Sequence, residues 1–263
     1  MYLKKLRQRV HDRSRPPLAI VPITLPSPEI VEIVGFAGGE AVMLDAEHGT
    51  IDPETMRSML VHAQSAGTAA VYRPRSFNAA ECRQALDAGA AGIHVSHVDT
   101  ADEARAVVAA CRYAPLGDRE MSLGRAVDYH LPNYPAYLEQ ANDSELLVVM
   151  IESRRALENI DSIAAVPGID VLHIGTADLT HSLGYTFGQS GSEAEIQDAR
   201  LRVLKAAATH DKTAGLPLDE PDKVHIFTEM GFRYFELDPP DYLLQETYSQ
   251  KLKAIDLLLE NNG

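Results

Sequence analysis

The chain has 263 residues, of which 45% are hydrophobic and 24% charged, a composition that is typical of a globular protein and excludes disordered and collagen-like chains. Its formal net charge of −14 would repel nucleic acid and anionic lipid, so we expect neither as a partner. No apolar stretch approaches the ~18 residues of a membrane span and no signal-like region follows the basic start, so we expect a cytoplasmic protein.

Short apolar runs alternate along the chain with longer stretches of helical period. This alternation is typical of parallel strands joined by crossover helices. The runs that predict strands are residues 18–23, 41–45, 69–73, 92–96, 146–152, 171–175, 213–218 and 233–237. Eight such units without a Gly/Ser linker predict an α/β fold, a (β/α)₈ TIM barrel formed by residues 1–263 as a single domain.

The segments between the strands predict helices over residues 53–67, 78–89, 100–111, 156–166 and 193–210. The long connection at 111–143 carries Tyr, Pro and Gly and predicts an ordered excursion with a short helix over the barrel mouth. Residues 242–263 repeat apolar side chains at three and four and predict an amphipathic helix that packs on a neighbour. The basic segment 4–15 is interpreted as a solvated helix, and Cys82 and Cys111 as reduced, packed thiols.

Polar residues terminate several of the predicted strands. In a barrel of this kind the carboxyl ends of the strands carry the active site, so these residues should converge on one mouth. They are Asp45, Glu47 and His48 after the second strand, Arg73 at the end of the third, Glu152 at the end of the fifth and Asp178 after the sixth.

Glu152 closes a run of six apolar residues, where a buried carboxylate requires a compensating cation or hydrogen-bond donor. A salt bridge to Arg154 or Arg155 would supply it, but neighbouring strand positions point to opposite faces, which favours a metal site shared with Asp178. Two carboxylates suit a hard ion such as Mg²⁺ or Mn²⁺. Zinc is a less natural ion for this set of ligands, which holds no cysteine.

Arg73 offers a permanent charge and planar donors suited to an oxyanion, although pairing with Asp45 or Glu47 stays open. His48 lies three residues after Asp45, close enough for that carboxylate to fix the histidine tautomer if the loop turns back.

The segment GTADLTHSLG places small residues and free N–H groups after the sixth strand. Gly175, Thr176, Ala177 and Asp178 therefore predict a seat for a carboxylate or phosphate, with a plain tight turn as the open alternative. His173, inside the sixth strand, is more typical of a hydrogen-bonded core residue, and His94, His97 and His181 are weaker candidates for the mouth.

Together these residues resemble a known family, the HpcH/HpaI aldolases, which are class II, metal-dependent pyruvate aldolases. The resemblance runs collinearly over nearly the whole chain. The motifs that carry it are LDAEHG, VYRP, LDAGA, PLGDRE, VVMIES and HIGTADLTHSLG.

The resemblance implies that Glu152 and Asp178 bind the divalent ion, Mg²⁺ or Mn²⁺, and that His48, held by Asp45, is the catalytic base. It implies that Asp87, in LDAGA, comes from a neighbouring subunit and raises the basicity of His48. The family is usually hexameric, a trimer of dimers with C-terminal helices exchanged between barrels, which implies a homo-oligomer here.

By the same resemblance, Arg73 stabilises the enolate oxygen, and the loop from Gly175 through Thr176 and Ala177 to Asp178 holds the carboxylate of the donor. The implied reaction is reversible cleavage of a 4-hydroxy-2-oxo acid to pyruvate, or a related 2-oxo acid, and an aldehyde. It needs no lysine Schiff base, and no predicted strand ends in a suitable lysine.

Four positions depart from the family pattern. Met150 stands where many relatives have glutamine, Thr176 replaces a proline, and Ser96 and His97 replace a proline and an apolar residue. These departures indicate an unusual donor or acceptor. Two alternatives remain open, namely an oxaloacetate decarboxylase or carbon-carbon bond-forming synthase on the same site, and a non-catalytic ligand-binding protein of this fold.

Overall fold

Eight parallel strands close into a barrel in the computed structural model, which describes residues 5–130 and 133–260. Each strand pairs with the next along the chain, and the eighth pairs with the first. The strands are β1 Leu18–Ile23, β2 Ala41–Asp45, β3 Ala69–Arg73, β4 Gly92–Val95, β5 Leu146–Ile151, β6 Val171–Ile174, β7 Thr213–Pro217 and β8 Tyr234–Glu236. The predicted (β/α)₈ barrel is confirmed.

Twelve helices accompany the strands in the described part of the chain. They are α1 Leu6–His11, α2 Pro28–Phe36, α3 Pro53–Ser65, α4 Ala79–Asp87, α5 Ala101–Cys111, α6 Tyr134–Ser144, α7 Arg154–Glu158, α8 Ile160–Ala164, α9 Thr176–Ser182, α10 Glu193–Thr209, α11 Val224–Met230 and α12 Pro240–Glu260. Side-chain caps start many of them, and at α5 Thr100 and Glu103 form a complete capping box. The single helix predicted over 156–166 is broken at Asn159 into α7 and α8.

Alternating side chains of each strand serve two different cores. Leu44 and Tyr72 point outward and pack with the surrounding helices, whereas Met43 and Val71 point into the barrel. The same alternation aims Asp45 and other strand-end residues inward, because strand side chains change face at every residue. The position of the site therefore follows from the barrel itself.

The amino-terminal end of the barrel is covered by α1, whose Leu6 and Val10 join the interior core. The segment 4–15 forms a helix as predicted, with Lys4 outside the described residues, but the helix is not simply solvated, because Arg9 is only 8% exposed and pairs with Glu40. Among the described residues, no helix is both long and apolar enough to cross a membrane. Cys82 and Cys111 are free and buried, as expected.

The excursion before β5 does not place a helix over the mouth. Its helix α6 contacts α1, and Asn142 of α6 accepts a hydrogen bond at 2.9 Å from the backbone N–H of Tyr113, just beyond the end of α5. Both neighbours lie at the amino ends of the strands, because helices of this fold run back toward the start of the next strand. The predicted position of this helix is therefore wrong, although its existence is confirmed; residues 131–132 lie outside the described residues.

The C-terminal amphipathic helix is confirmed as α12, with residues 261–263 outside the described part of the chain. One stripe of α12 is apolar and largely exposed to solvent in the single chain. Its members recur every three or four residues and are 49–69% exposed: Leu244, Tyr248, Leu252, Ile255 and Leu259. Exchange of this helix between subunits stays a prediction.

Candidate active site at the carboxyl ends of the strands

An ion pair between Arg73 and Asp45 forms one wall of the barrel mouth. The two residues are directly opposite each other in the β2–β3 register. Arg73 Nε and Nη2 donate to the two oxygens of Asp45 at 2.9 and 2.6 Å, and both residues are buried. Burial alone would lower the pKa of Arg73, but the hydrogen bonds and charge of Asp45 outweigh it and raise that pKa. The guanidinium is therefore permanently charged, and the pairing with Asp45 left open by the sequence is formed.

Asp45 does not hold the ring of His48. Its Oδ1 accepts from the backbone N–H groups of Glu47 and His48 at 3.0 and 3.2 Å, so the loop after β2 turns its amides, not its imidazole, toward the carboxylate. The His48 side chain is 62% exposed, and its Nε2 lies 3.7 Å from Glu47 Oε2. The predicted contact between Asp45 and the His48 ring is corrected accordingly, and Glu47 is the carboxylate nearest to it.

Glu47 connects both sides of the mouth. Ser96 Oγ donates to its Oε2 at 2.5 Å, Arg73 Nε lies 3.4 Å from the same oxygen, and His97 Nε2 lies 3.4 Å from Oε1. The side chain is only 12% exposed. The sequence left Glu47 open as a partner of Arg73, and that contact is present, but its contacts with Ser96 and His97 were not predicted.

Glu152 is the buried carboxylate of the opposite wall, with an exposure of 3%. Its Oε1 accepts from the backbone N–H of His97 at 2.6 Å and lies 3.1 Å from His97 Nδ1. His97 reaches this position with a left-handed φ of +58°, a conformation that few residues other than glycine adopt. Both Arg154 and Arg155 are exposed and form no ion pair with Glu152, so the alternative of a salt bridge to either is wrong.

Burial raises the pKa of Glu152, and the nearby negative charges of Glu47 and Asp178 raise it further, against the lowering effect of His97. Gly175 is required beside this carboxylate, because a Cβ there would lie 2.5 Å from Glu152 Oε2. Asp178 lies in the exposed first turn of α9. Glu47 and Asp178 are thus near enough to act on this buried carboxylate, and carboxylate oxygens are the ligands that a hard divalent cation prefers.

The segment from Gly175 to Asp178 comprises the residue before α9 and the first turn of that helix. Gly175 is buried, Thr176 is half-buried, and Ala177 and Asp178 are exposed at the mouth. The helix begins at Thr176, so its first N–H groups have no acceptor within the helix. These amides are available to an anion at the mouth.

Met150 lies between the two walls. Its sulfur is 3.8 Å from Arg73 Nη1 and 3.4 Å from Ser96 Oγ. The one guanidinium nitrogen of Arg73 not engaged by Asp45 thus faces a weak acceptor. A substrate oxygen that reached Nη1 would compete only with this sulfur.

Asp87 is not brought to His48 within one chain. It ends α4, near the amino end of β4, and its Oδ1 accepts from Arg119 Nη2 at 2.8 Å. Its side chain is 31% exposed. Its contribution to the site of a neighbouring subunit stays a prediction.

Comparisons with known proteins identify the family of the chain. The family model described as HpcH/HpaI aldolase/citrate lyase matches residues 21–223. The chain is 40% identical over 222 residues to a 4-hydroxy-2-oxovalerate aldolase of Rhodococcus jostii, covering 83% of each chain. It is 33% identical over 227 residues to a 2-keto-3-deoxy-L-rhamnonate aldolase of Escherichia coli, covering 85% of this chain and 83% of the relative. The structure of an HpcH/HpaI aldolase from Desulfitobacterium hafniense superposes with a TM-score of 0.88, at 25% identity over 95% of each chain.

Proposed function

Because the chain belongs to the HpcH/HpaI aldolase/citrate lyase family, we propose that it is a divalent-metal-dependent aldolase. It would reversibly cleave a 4-hydroxy-2-oxo acid to pyruvate, or a related 2-oxo acid, and an aldehyde. The observation that carries the proposal is the mouth itself, where Arg73 is fixed by Asp45 and the buried carboxylate Glu152 has the negative charges of Glu47 and Asp178 nearby. The names of the two aldolase relatives support the same class of substrate.

In this proposal Glu152 and Asp178 hold Mg²⁺ or Mn²⁺. When bound there, such an ion supplies Lewis-acid stabilisation of the negative charge that cleavage leaves on a substrate oxygen. The raised pKa of Glu152 supports a cation-binding role, because a nearby positive charge would relieve the cost of ionising a buried carboxylate. Gly175 keeps the space that Glu152 Oε2 needs.

Arg73 would stabilise the enolate oxygen through Nη1, the donor that Asp45 leaves free. The rigid pairing with Asp45 fixes the direction of this donor before substrate arrives, which is the preorganisation that oxyanion stabilisation requires. The amides of the α9 first turn, at Ala177 and Asp178, would hold the carboxylate of the 2-oxo acid.

Cleavage also needs a base that removes the proton of the 4-hydroxyl group. His48 is assigned this role, since its ring is exposed at the mouth and imidazole is the side chain most often used for proton transfer. Glu47, 3.7 Å from His48 Nε2, replaces Asp45 as the carboxylate that orients the ring. In an assembly, Asp87 of a neighbouring chain would add to its basicity.

The assembly itself would be a homo-oligomer, a hexamer or trimer of dimers. The exposed apolar stripe of α12 supports it, because contiguous exposed apolar surface of this kind usually marks an interface. The location of Asp87 at the outer end of α4, away from its own mouth, supports a site shared between chains.

The proposal is tested with a panel of aldehydes offered with pyruvate, hydroxypyruvate and oxaloacetate, with Mg²⁺ or Mn²⁺ and with a chelator. We expect aldol product only with the metal, and Glu152→Gln to lose both metal affinity and activity while it stays folded. The matched control is Glu158→Gln, on the exposed face of α7. Full activity in chelator or in Glu152→Gln would contradict the proposal. Release of carbon dioxide without an aldehyde product would identify a decarboxylase. If no combination of aldehyde and 2-oxo acid reacts, the protein is a non-catalytic member of the fold.

A further inference from the structure

A second layer of polar side chains lies inside the barrel, beneath the mouth. His94 is two residues before Ser96 on β4, and His173 is two residues before Gly175 on β6. Residues two apart on a strand share a face and are separated by ~6–7 Å along it. These histidines therefore point inward one layer below the mouth, and Glu236 joins them from β8.

The three side chains converge. One ligand atom of each, His94, His173 and Glu236, lies within 4.8 Å of the others. His173 Nε2 is 3.3 Å from Glu236 Oε2, and the two imidazole rings are 5.1 Å apart between centroids. Both histidines are completely buried, whereas the Glu236 side chain is 16% exposed.

None of the four ring nitrogens of His94 and His173 has a hydrogen-bond partner among the described residues, and neither does Glu236 Oε2. His173 is a buried core residue, as the sequence indicates, and its contact with Glu236 at 3.3 Å lies outside good hydrogen-bond geometry. Buried polar groups in native proteins are almost always satisfied, and several orphans in one place cost a sizeable part of the stability of a domain. A ligand bound among these side chains would satisfy several of the unpaired atoms at once.

The shape of the barrel makes room for this cluster. At the neighbouring position on β7 stands Gly215, where a Cβ would lie 2.9 Å from His173 Nδ1 and 2.8 Å from Tyr234 Cδ1. Tyr234 packs edge-on against both imidazoles, and its hydroxyl also lacks a partner among the described residues. Gly215 therefore leaves room for the His173 ring, and Tyr234 packs against both imidazoles.

The donor set identifies the chemistry of the ligand. Burial lowers the pKa of His94, with the charges of His173 and Arg73 acting in the same direction, so this imidazole is neutral and its nitrogen lone pair is available. Two imidazoles and one carboxylate are a donor set that suits a borderline transition metal such as Zn²⁺, in contrast to the all-oxygen set at the mouth. Arg73, the nearest fixed cation, is paired with Asp45.

We propose that His94, His173 and Glu236 form a second metal site, inside the barrel and distinct from the one at the mouth, which binds a divalent transition metal of the Zn²⁺ type. The ion enters from the mouth past Glu236, the one ligand that solvent reaches. Tyr234 closes the inner side of the site, and the fourth position is left to water. The site ties strands β4, β6 and β8 together across the barrel interior.

The full chain is dialysed against Zn²⁺ and its bound metal is measured, with Co²⁺ as a spectroscopic substitute. The background is Glu152→Gln with Asp178→Asn, which removes the carboxylates of the mouth. We expect one equivalent of Zn²⁺ per chain in this background, and at least one in wild type, which keeps the carboxylates of the mouth. Co²⁺ in the background should give the visible absorption of a four-coordinate ion. Neither readout uses aldolase activity, so the inference stands or falls separately from the proposed function.

His94→Gln with His173→Gln, made in the same background, should lose the equivalent and the Co²⁺ spectrum. The matched control is His48→Gln with His97→Gln, which removes two exposed histidines at the mouth and should change neither. If the double histidine variant does not fold, Glu236→Gln tests the interior site instead, and we expect it to lower the Zn²⁺ affinity at least ~10-fold. No Zn²⁺ bound by wild type, or undiminished binding in the folded interior variants, would overturn the inference.

Discussion

Arg73 carries a permanent charge, is held in a fixed direction by Asp45, and is proposed to stabilise the enolate oxygen. Lysine in its place keeps the charge but cannot hold both oxygens of Asp45 and present a further N–H to the mouth at the same time. We expect Arg73→Lys to lower kcat/KM by about 10²–10³-fold, the usual loss for a missing oxyanion donor. The measurement is steady-state kinetics alongside thermal unfolding.

Arg75 offers a matched control for this substitution. It lies two residues away, is 53% exposed, and donates from Nη2 to the carbonyl oxygen of Ile51. Arg75→Lys should leave kcat/KM unchanged. If Arg73→Lys were as active as Arg75→Lys, Arg73 would have no part in stabilising the developing charge.

The inward direction of Asp45, Arg73 and Glu152 could be predicted from the sequence, because each ends an apolar run that can only be a buried strand. Their partners could not. Whether Asp45 accepts from a ring or from amides depends on how the loop after β2 turns, and the left-handed φ of His97 places its ring near Glu152 without any sequence signal. Side-chain pairing across loops is a property of the folded backbone, which strand patterning does not encode.

At the scale of elements, Asp170 joins the first helix to two strands. Standing just before β6, it accepts from Leu147 N of β5 at 2.8 Å, from Arg112 Nη2 at 2.6 Å and from Arg7 Nε of α1 at 2.8 Å. Asp170 and Arg112 are each 1% exposed. Removing one member of a buried pair leaves the other charged and uncompensated.

We therefore expect Asp170→Asn to lower the free energy of unfolding by about 3–5 kcal/mol, because Arg112 stays buried without its anion. Asp143→Asn is the control: Asp143 also lies near Arg7, at 3.5 Å, but is 60% exposed, and its loss should cost about 0–1 kcal/mol. Urea unfolding at pH 7 measures both values. Equal stability of the two variants would show that the buried pair contributes nothing.

The buried pair of Asp170 and Arg112 also makes the difference in free energy of unfolding between wild type and Asp170→Asn depend on pH. Burial alone would raise the pKa of Asp170, but the charges of Arg112 and Arg7 and hydrogen bonding outweigh it, so the pKa lies below its ordinary value of 3.8. The stability from its ionised form is complete above that value and is lost as pH falls toward the folded-state pKa. The difference in free energy of unfolding between wild type and Asp170→Asn should accordingly become smaller as the pH is lowered.

The presence of the strands and helices and the approximate limits of the strands could be predicted from the sequence. Eight apolar runs of similar length, separated by capped helices, are compatible with one closed barrel. The run predicted over 92–96 ends at Val95 in β4, and the one over 146–152 ends at Ile151 in β5, since Ser96 and Glu152 already belong to the mouth. The location of α6 was not predictable. Its packing against α1 is a contact between segments more than a hundred residues apart, set by the complete barrel.

For the whole molecule, α12 carries the surface that the single chain leaves uncovered. Leu252 and Ile255, at the centre of its apolar stripe, are 60% and 53% exposed. Covering such a stripe by another chain removes apolar area from water, with a gain of about 25 cal/mol per Å². Replacing Leu252 and Ile255 together with glutamate should therefore dissociate the assembly, and light scattering should then give a mass near the single-chain value of 28.7 kDa.

Gln245→Glu with Gln250→Glu is the matched control, because it adds the same two charges to exposed polar positions of α12 and should leave the assembly intact. Loss of activity should accompany dissociation, since Asp87 lies at the far end of its own barrel and can raise the basicity of His48 only across an interface. A monomeric wild type would contradict the oligomer. A dissociated variant with full kcat/KM would instead remove Asp87 from the catalytic machinery and leave Glu47 as the sole carboxylate acting on His48.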